Sequence, residues 1–189
     1  MTLPARPEGM HGIDEIGTVA RQEKIRILES LSQTADPSTI KKMVALLNDP
    51  DIEVRGEAFG ALVSNKNDIS GTLIGSLDDE EKNVRAFASL ILGNRKSRGA
   101  VGPLRRLTAD RSPAVRSCAL GALGYLRAGE AEKEIRDCFA DGDLEVRKSA
   151  LRAAMDIRHG ITERELEIFS KESDDELKKL AIMAKKKHS

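Results

Sequence analysis

The side chains able to do chemistry in this chain are few, and most of them recur. A carboxylate and a guanidinium six residues apart appear at Asp49/Arg55, Asp79/Arg85, Asp110/Arg116 and Asp141/Arg147, with Glu172/Lys178 as a worn fifth pair. A partly buried guanidinium can bond a carboxylate and loop carbonyls together, which a lysine does less well. Such pairs suit structural bonding. No Ser-His-Asp set, glycine-rich phosphate loop or paired acid stands out above them. Two thiols, Cys118 and Cys138, form no disulfide framework and are too few for a four-cysteine zinc site. Cys138 shares an apolar stripe with Ile135 and Phe139, and both cysteines read as small buried hydrophobes. No catalytic residue, metal ligand or cofactor site is expected.

The elements that position these pairs follow from their surroundings. Each acid is followed five positions later by an aliphatic residue, then the cation, then three residues on by alanine. The copies fall 30, 31, 31 and 31 residues apart. Self-similarity at that period marks a repeat protein, in which each unit buries its apolar face on its neighbours. Every unit carries two apolar stripes of helical period. In the first these are Ile40, Met43, Val44, Leu47 and then Val54, Ala58, Ala61, Leu62; no stretch alternates with period two. The fold class is therefore all-α.

Second helices are predicted to begin near residues 52, 82, 113, 144 and 175, after the capping candidates Asp51, Glu81, Ser112, Asp143 and Asp174. Ser112-Pro113 is the clearest start, because proline at the first helical position presets φ. Asp36-Pro37 and the Thr162…Glu165 capping box open first helices, while Gly129 and Gly160 suit left-handed helix ends. The expected layout is a tail over 1–12 and one repeat domain over 13–187. That domain holds a helix at about 13–34 and repeats at about 36–66, 67–97, 98–128, 129–160 and 161–187. In the last helix Lys185 takes the place of Leu62, Leu92 and Leu123, as a polar terminal repeat would need.

Composition sets outer bounds. Hydrophobic residues at 40% exclude disorder, and aromatics at 3%, with no Trp, leave Leu, Ile, Val and Ala to fill the core. Net charge is zero, with 11 Lys/Arg against 15 Asp/Glu in residues 1–95 and 20 against 16 beyond. No bulk field argues for nucleic acid or an anionic membrane. No apolar run approaches the roughly 20 residues of a membrane span, and the first 12 residues lack a signal-peptide pattern. A cytoplasmic protein is expected.

The phrase acid–x₄–Val–Arg–x₂–Ala–x₂–Ala/Ile–Leu, with Gly after Leu92 and Leu123, resembles the HEAT repeat. More narrowly it is similar to the subtype of about 30 residues found in phycobilin lyase subunits. The resemblance implies a right-handed α-solenoid, a superhelix of helical hairpins with second helices lining a groove. It also implies that Asp49, Asp79, Asp110 and Asp141 cap turns and pair with Arg55, Arg85, Arg116 and Arg147 in a ladder between repeats.

Two enzyme groups of similar architecture are set aside. Deoxyhypusine hydroxylase needs His-Glu steps, and none of His11, His159 and His188 precedes Glu; His159 reads instead as a helix C-terminal residue. The HEAT-like DNA glycosylases grip nucleotides with tryptophan, which is absent. The cluster Arg95-Lys96-Ser97-Arg98 with Arg105, Arg106 and Arg111 reads as a solvated loop and helix face rather than a phosphate track.

Second-helix positions two and six beyond the aliphatic residue read Gly56/Gly60, Ala86/Leu90, Ser117/Gly121, Lys148/Arg152 and Lys179/Met183. The row is small or apolar in the middle and basic at the end. Phe87, Leu90, Lys148, Arg152 and Lys179 are the candidate contacts for a protein or peptide partner, expected to be acidic. The reading is a noncatalytic scaffold or adaptor, with a bilin-lyase-like or chaperone-like subunit, or a nonspecific nucleic-acid-binding solenoid, as the alternatives.

Overall fold

The computed structural model describes residues 12–17, 19–157 and 161–186. His11, His159, His188 and Gly160 lie outside them, as does nearly all of the expected tail. The regular elements among the described residues are all helices, with no strand. The chain divides into two compact units between Thr72 and Leu73.

In the first unit a 3₁₀ turn, Ile13–Glu15, precedes α1 (Arg21–Leu31), α2 (Pro37–Ala45) with a 3₁₀ turn at Leu46–Asn48, and α3 (Ile52–Ser64). The single helix expected over 13–34 is thus shorter and interrupted. Ala20 is extended (φ −64°, ψ 155°) and offers no capping side chain, so α1 starts only at Arg21. Both α1 and α2 pack on α3. Ile27, Leu28, Ile40, Met43, Leu47, Val54, Ala58 and Leu62 fill the space between them. Asp36 caps α2 by accepting from the Thr39 amide at 2.7 Å, and Asp51 caps α3 by accepting from the Glu53 amide at 2.8 Å. α4 (Ser70–Gly75) carries the chain across the division.

The second unit continues with α5 (Lys82–Asn94), α6 (Val101–Leu107), α7 (Pro113–Tyr125), α8 (Glu132–Asp137), α9 (Leu144–Asp156), α10 (Glu163–Ser170) and α11 (Asp175–Lys186). Helices α5, α7, α9 and α11 pack side by side in series. Each shorter helix α6, α8 and α10 lies on the long helix that follows it. The five long helices start at the expected residues, because an acid, a proline or both punctuate each entry. The Thr162/Glu165 capping box is complete. The Ser112 hydroxyl makes no capping bond; Asp110 accepts from the Ser112 amide instead, at 2.7 Å.

Helix ends depart further from expectation. Among the described non-glycine residues, Lys96 (φ 56°) and Arg127 (φ 49°) are left-handed, while Gly129 opens a 3₁₀ turn. After α7, the Arg127 amide donates to Gly124 O at 2.8 Å and the Ala128 amide to Leu123 O at 3.0 Å. After α5, Lys96 and Ser97 repeat these bonds to Gly93 and Leu92. Two satisfied carbonyls offset the strain of about 1 kcal/mol that a side chain suffers there.

Candidate functional site

The recurrent Asp and Arg build one device several times. Arg85 donates from Nε and Nη2 to both Asp110 carboxylate oxygens, at 2.8 and 3.0 Å, and from Nη1 to the carbonyls of Asp79 and Glu80, both at 2.8 Å. Arg116 does the same with Asp141, at 2.8 and 2.7 Å, and with Asp110 O at 2.9 Å. Each guanidinium therefore ties its own interhelix loop to the loop 25 residues ahead. Asp79, Asp110 and Asp141 in turn accept from the amide two residues on and fix the turn into the next helix. Asp49 does so in the first unit, where Arg55 holds Asp49 O at 2.7 Å.

The Asp49 carboxylate pairs there with Lys24 at 2.7 Å, again 25 residues apart. Lys24 escapes a reading anchored on the Val-Arg phrase, yet counting back one ladder step from Asp49 finds it. Electrostatics follow geometry. The bonds from Arg116 hold Asp141 below the usual carboxylate range. Burial alone would raise Asp110, but the Arg85 fork and the Ser112 amide overcome it and lower it too.

The basic positions expected to face a partner are placed differently from one another. Lys148 is buried, at 5% exposure, and its ammonium meets Glu176 at 2.8 Å, Asp174 at 3.2 Å and Glu145 at 3.3 Å. The hydrogen bond it donates to Glu176, with those to Asp174 and Glu145, lifts it well above the ordinary ammonium range. It is thus a junction between α9 and α11 and not a free groove cation. Position two of the phrase is buried in α5 as well, at Ala86. Arg152 is exposed and bonds Glu176 at 2.6 Å; Lys179 is exposed. Lys148→Glu would place a fourth carboxylate among three, so a lowered melting temperature is expected, read by circular dichroism. An unchanged melt would show the network to be idle.

Phe87 and Leu90 of α5 are half-buried. A Cβ on Gly121 of α7 would lie 3.9 Å from Leu90 Cδ2, so the two positions adjoin across α5 and α7. Tyr125, one turn on from Gly121, is 63% exposed. The Ser117 and Ser149 hydroxyls meet at 3.0 Å across α7 and α9. Gly56 and Gly60 of α3 have nothing within 4 Å of an added Cβ. Replacing each by alanine is expected to raise stability by about 1 kcal/mol through helix propensity, checked by urea unfolding. No gain would reveal a hidden packing role.

The basic cluster is largely tied to its neighbours. Arg98 donates to Leu126 O and Glu130, Arg105 to Glu134, and Arg111 to Glu80 O. Both thiols are pushed up to about 11, Cys118 by burial and Cys138 by burial with Asp141 nearby. At pH 8 that leaves about 100-fold less thiolate than at an ordinary cysteine. Iodoacetamide should therefore label both slowly in the native protein and fast in urea; rapid native labelling would contradict it. Among the described residues no group of three His, Cys, Asp or Glu side chains is placed to hold a metal ion. Nor is any helix long and apolar enough to cross a membrane.

This arrangement defines an α-solenoid repeat protein. Residues 69–156 match the family model for HEAT repeats. Among solved structures, the complex of CpcE and CpcF of phycocyanin lyase from Nostoc sp. PCC7120 is similar at 18% identity and a TM-score of 0.68. The match covers 79% of this chain and 99% of that one. A designed armadillo repeat protein in complex with the peptide (KR)4 is similar at 21% identity and a TM-score of 0.59, over 94% and 98% of the two chains. A structure described by TOG–tubulin binding specificity matches at 16% identity and 0.53, over 91% and 80%. These likenesses concern the fold. No match is found among curated proteins.

Proposed function

We propose that this chain is a noncatalytic protein-binding scaffold whose contact surface is the groove-lining face of the long helices, centred on α5, α7 and α9. One observation carries the reading: half-buried Leu90 adjoins Gly121, where an added Cβ would lie 3.9 Å from Leu90 Cδ2, with Tyr125 exposed a turn away. A position without a side chain lets a partner's backbone come close, and exposed Tyr is among the residue types enriched at interface anchors. The solenoid fold supports this, as does the binding of a peptide by the designed armadillo neighbour. Arg152 and Lys179 lie at the basic end of the same face. The case for an acidic partner is weaker than the sequence suggested, because Lys148 and Arg152 already meet carboxylates.

Panning a random-peptide library on the intact protein tests the surface. Selected peptides should lose about tenfold or more in affinity on Leu90→Asn with Tyr125→Ala, at an unchanged melting temperature. Peptides that bind this double variant as well as the parent would remove α5 and α7 from the contact. A bilin-handling role has only the likeness to the lyase complex behind it. The high pKa of both thiols argues against either as a nucleophile.

A further inference from the structure

Within the second unit the ladder fails at one rung, and a cavity of about 530 Å³ lies beside the failure. At Arg85 and Arg116, Nε and Nη2 grip a carboxylate as a fork. At Arg147 the partner is Glu172, which reaches only Nη2, at 3.4 Å. Arg147 Nε is buried and makes no hydrogen bond. The sequence explains the gap. Glu172 stands where Asp110 and Asp141 stand in earlier copies.

The walls have changed as well. Thirty-one residues earlier, the places of Phe139, Ile168 and Phe169 are held by Thr108, Asp137 and Cys138. There the Cys138 thiol closes on Thr108 O at 3.6 Å. At the altered junction Phe139 and Phe169 pack edge to face with centroids 5.4 Å apart, and Ile168 is 55% exposed at the rim. The remaining charges around the cavity are already matched: Arg136 with Glu165 and Glu132, and Asp141 with Arg116. The under-bonded guanidinium is the exception.

We infer that this cavity between α8, α10 and the loop before α9 is a binding site for a compact apolar group ending in a carboxylate. The acid takes the fork position on Arg147 Nε and Nη2 that Asp110 and Asp141 occupy on their own arginines, and the apolar body lies on Phe139, Phe169 and Ile168. A buried donor without a partner costs free energy that a ligand carboxylate recovers. The volume is in the range of small-molecule pockets. The site is separate from the long-helix face proposed above and stands without it.

Two probe pairs test it by calorimetry on the whole protein. The first is 4-phenylbutyrate against 4-phenylbutanol. The second is the peptide acetyl-Gly-Gly-Phe with a free against an amidated C-terminus. In at least one pair the acid should bind about tenfold or more tightly than its neutral counterpart, and the pair with the tighter acid identifies a free acid or a chain terminus as the source. Arg147→Met should abolish the preference. Ile168→Asp, which restores the residue type of the preceding copy at an exposed position, should weaken the acid about tenfold without a folding demand. Equal binding of acid and neutral probe, or no binding of either acid at millimolar concentration, would overturn the site. So would an acid preference that survives Arg147→Met.

Discussion

Arg85→Met is expected to lower the unfolding free energy by about 3 kcal/mol, the usual scale for removing one partner of a buried ion pair. The two side chains of the Arg85–Asp110 pair are 6% and 8% exposed, and the guanidinium also holds two loop carbonyls. Its loss strands a buried carboxylate and frees both loops together. Arg147→Met should cost markedly less, about 1 kcal/mol, because that arginine makes one long carboxylate contact and one carbonyl bond. Adding Asp110→Asn to Arg85→Met keeps the acceptor for the Ser112 amide and removes the stranded charge, so part of the loss should return. Urea unfolding followed by circular dichroism reads all of these. Equal effects at Arg85 and Arg147 would mean that fork geometry contributes nothing.

Acidity supplies a second readout of the same rung. In the parent protein Asp110 and Asp141 are held below their ordinary 3.8. Their contribution to stability is then present above about pH 4 and lost as pH falls through the folded-state values. With Arg85 gone, burial is left to act on Asp110 and favours its neutral form. The gain in stability between about pH 3 and 6 should therefore shrink in Arg85→Met.

The contrast among these residues also explains what could be read from sequence. The phrase around each aliphatic–cation pair marked where five helices start, because cap, proline and apolar period all act locally. Partners 25 residues away were legible only as a period, so Asp110 and Asp141 were visible as rungs while Lys24 was not. Lys148 was misjudged for a different reason. Position two holds small Ala86 and Ser117 in earlier copies, and only packing reveals that it is buried at Lys148. There the acids of the worn fifth copy, Asp174 and Glu176, cover a long cation. The cavity beside Arg147 was equally hidden, since one added methylene at Glu172 looks conservative until the fork is seen half empty. Left-handed Lys96 and Arg127 show the same limit: a bond pattern fixed by the loop overrode the residue preference that pointed to Gly129.

The glycines that follow Leu92 and Leu123 give the second large effect. Gly-to-Ala inside a helix ordinarily stabilises by about 1 kcal/mol, as argued for Gly56 and Gly60. At Gly93 the added Cβ would sit 2.9 Å from Ala122 Cα, so α5 and α7 must move apart or tilt. Overpacking of that kind costs about 2 kcal/mol, which exceeds the propensity gain, and Gly93→Ala should come out destabilised. Gly124→Ala is expected to be milder. Its nearest contact is the end of the Asp156 side chain at 3.0 Å, which can swing away, and Ala153 Cα lies at 3.2 Å. The same substitution therefore takes opposite signs in α3 and α5, decided by whether a neighbouring long helix lies on that face. Stabilisation by Gly93→Ala in thermal or urea unfolding would show that α5 and α7 do not approach as closely as this, and the side-by-side packing of the long helices would need revision.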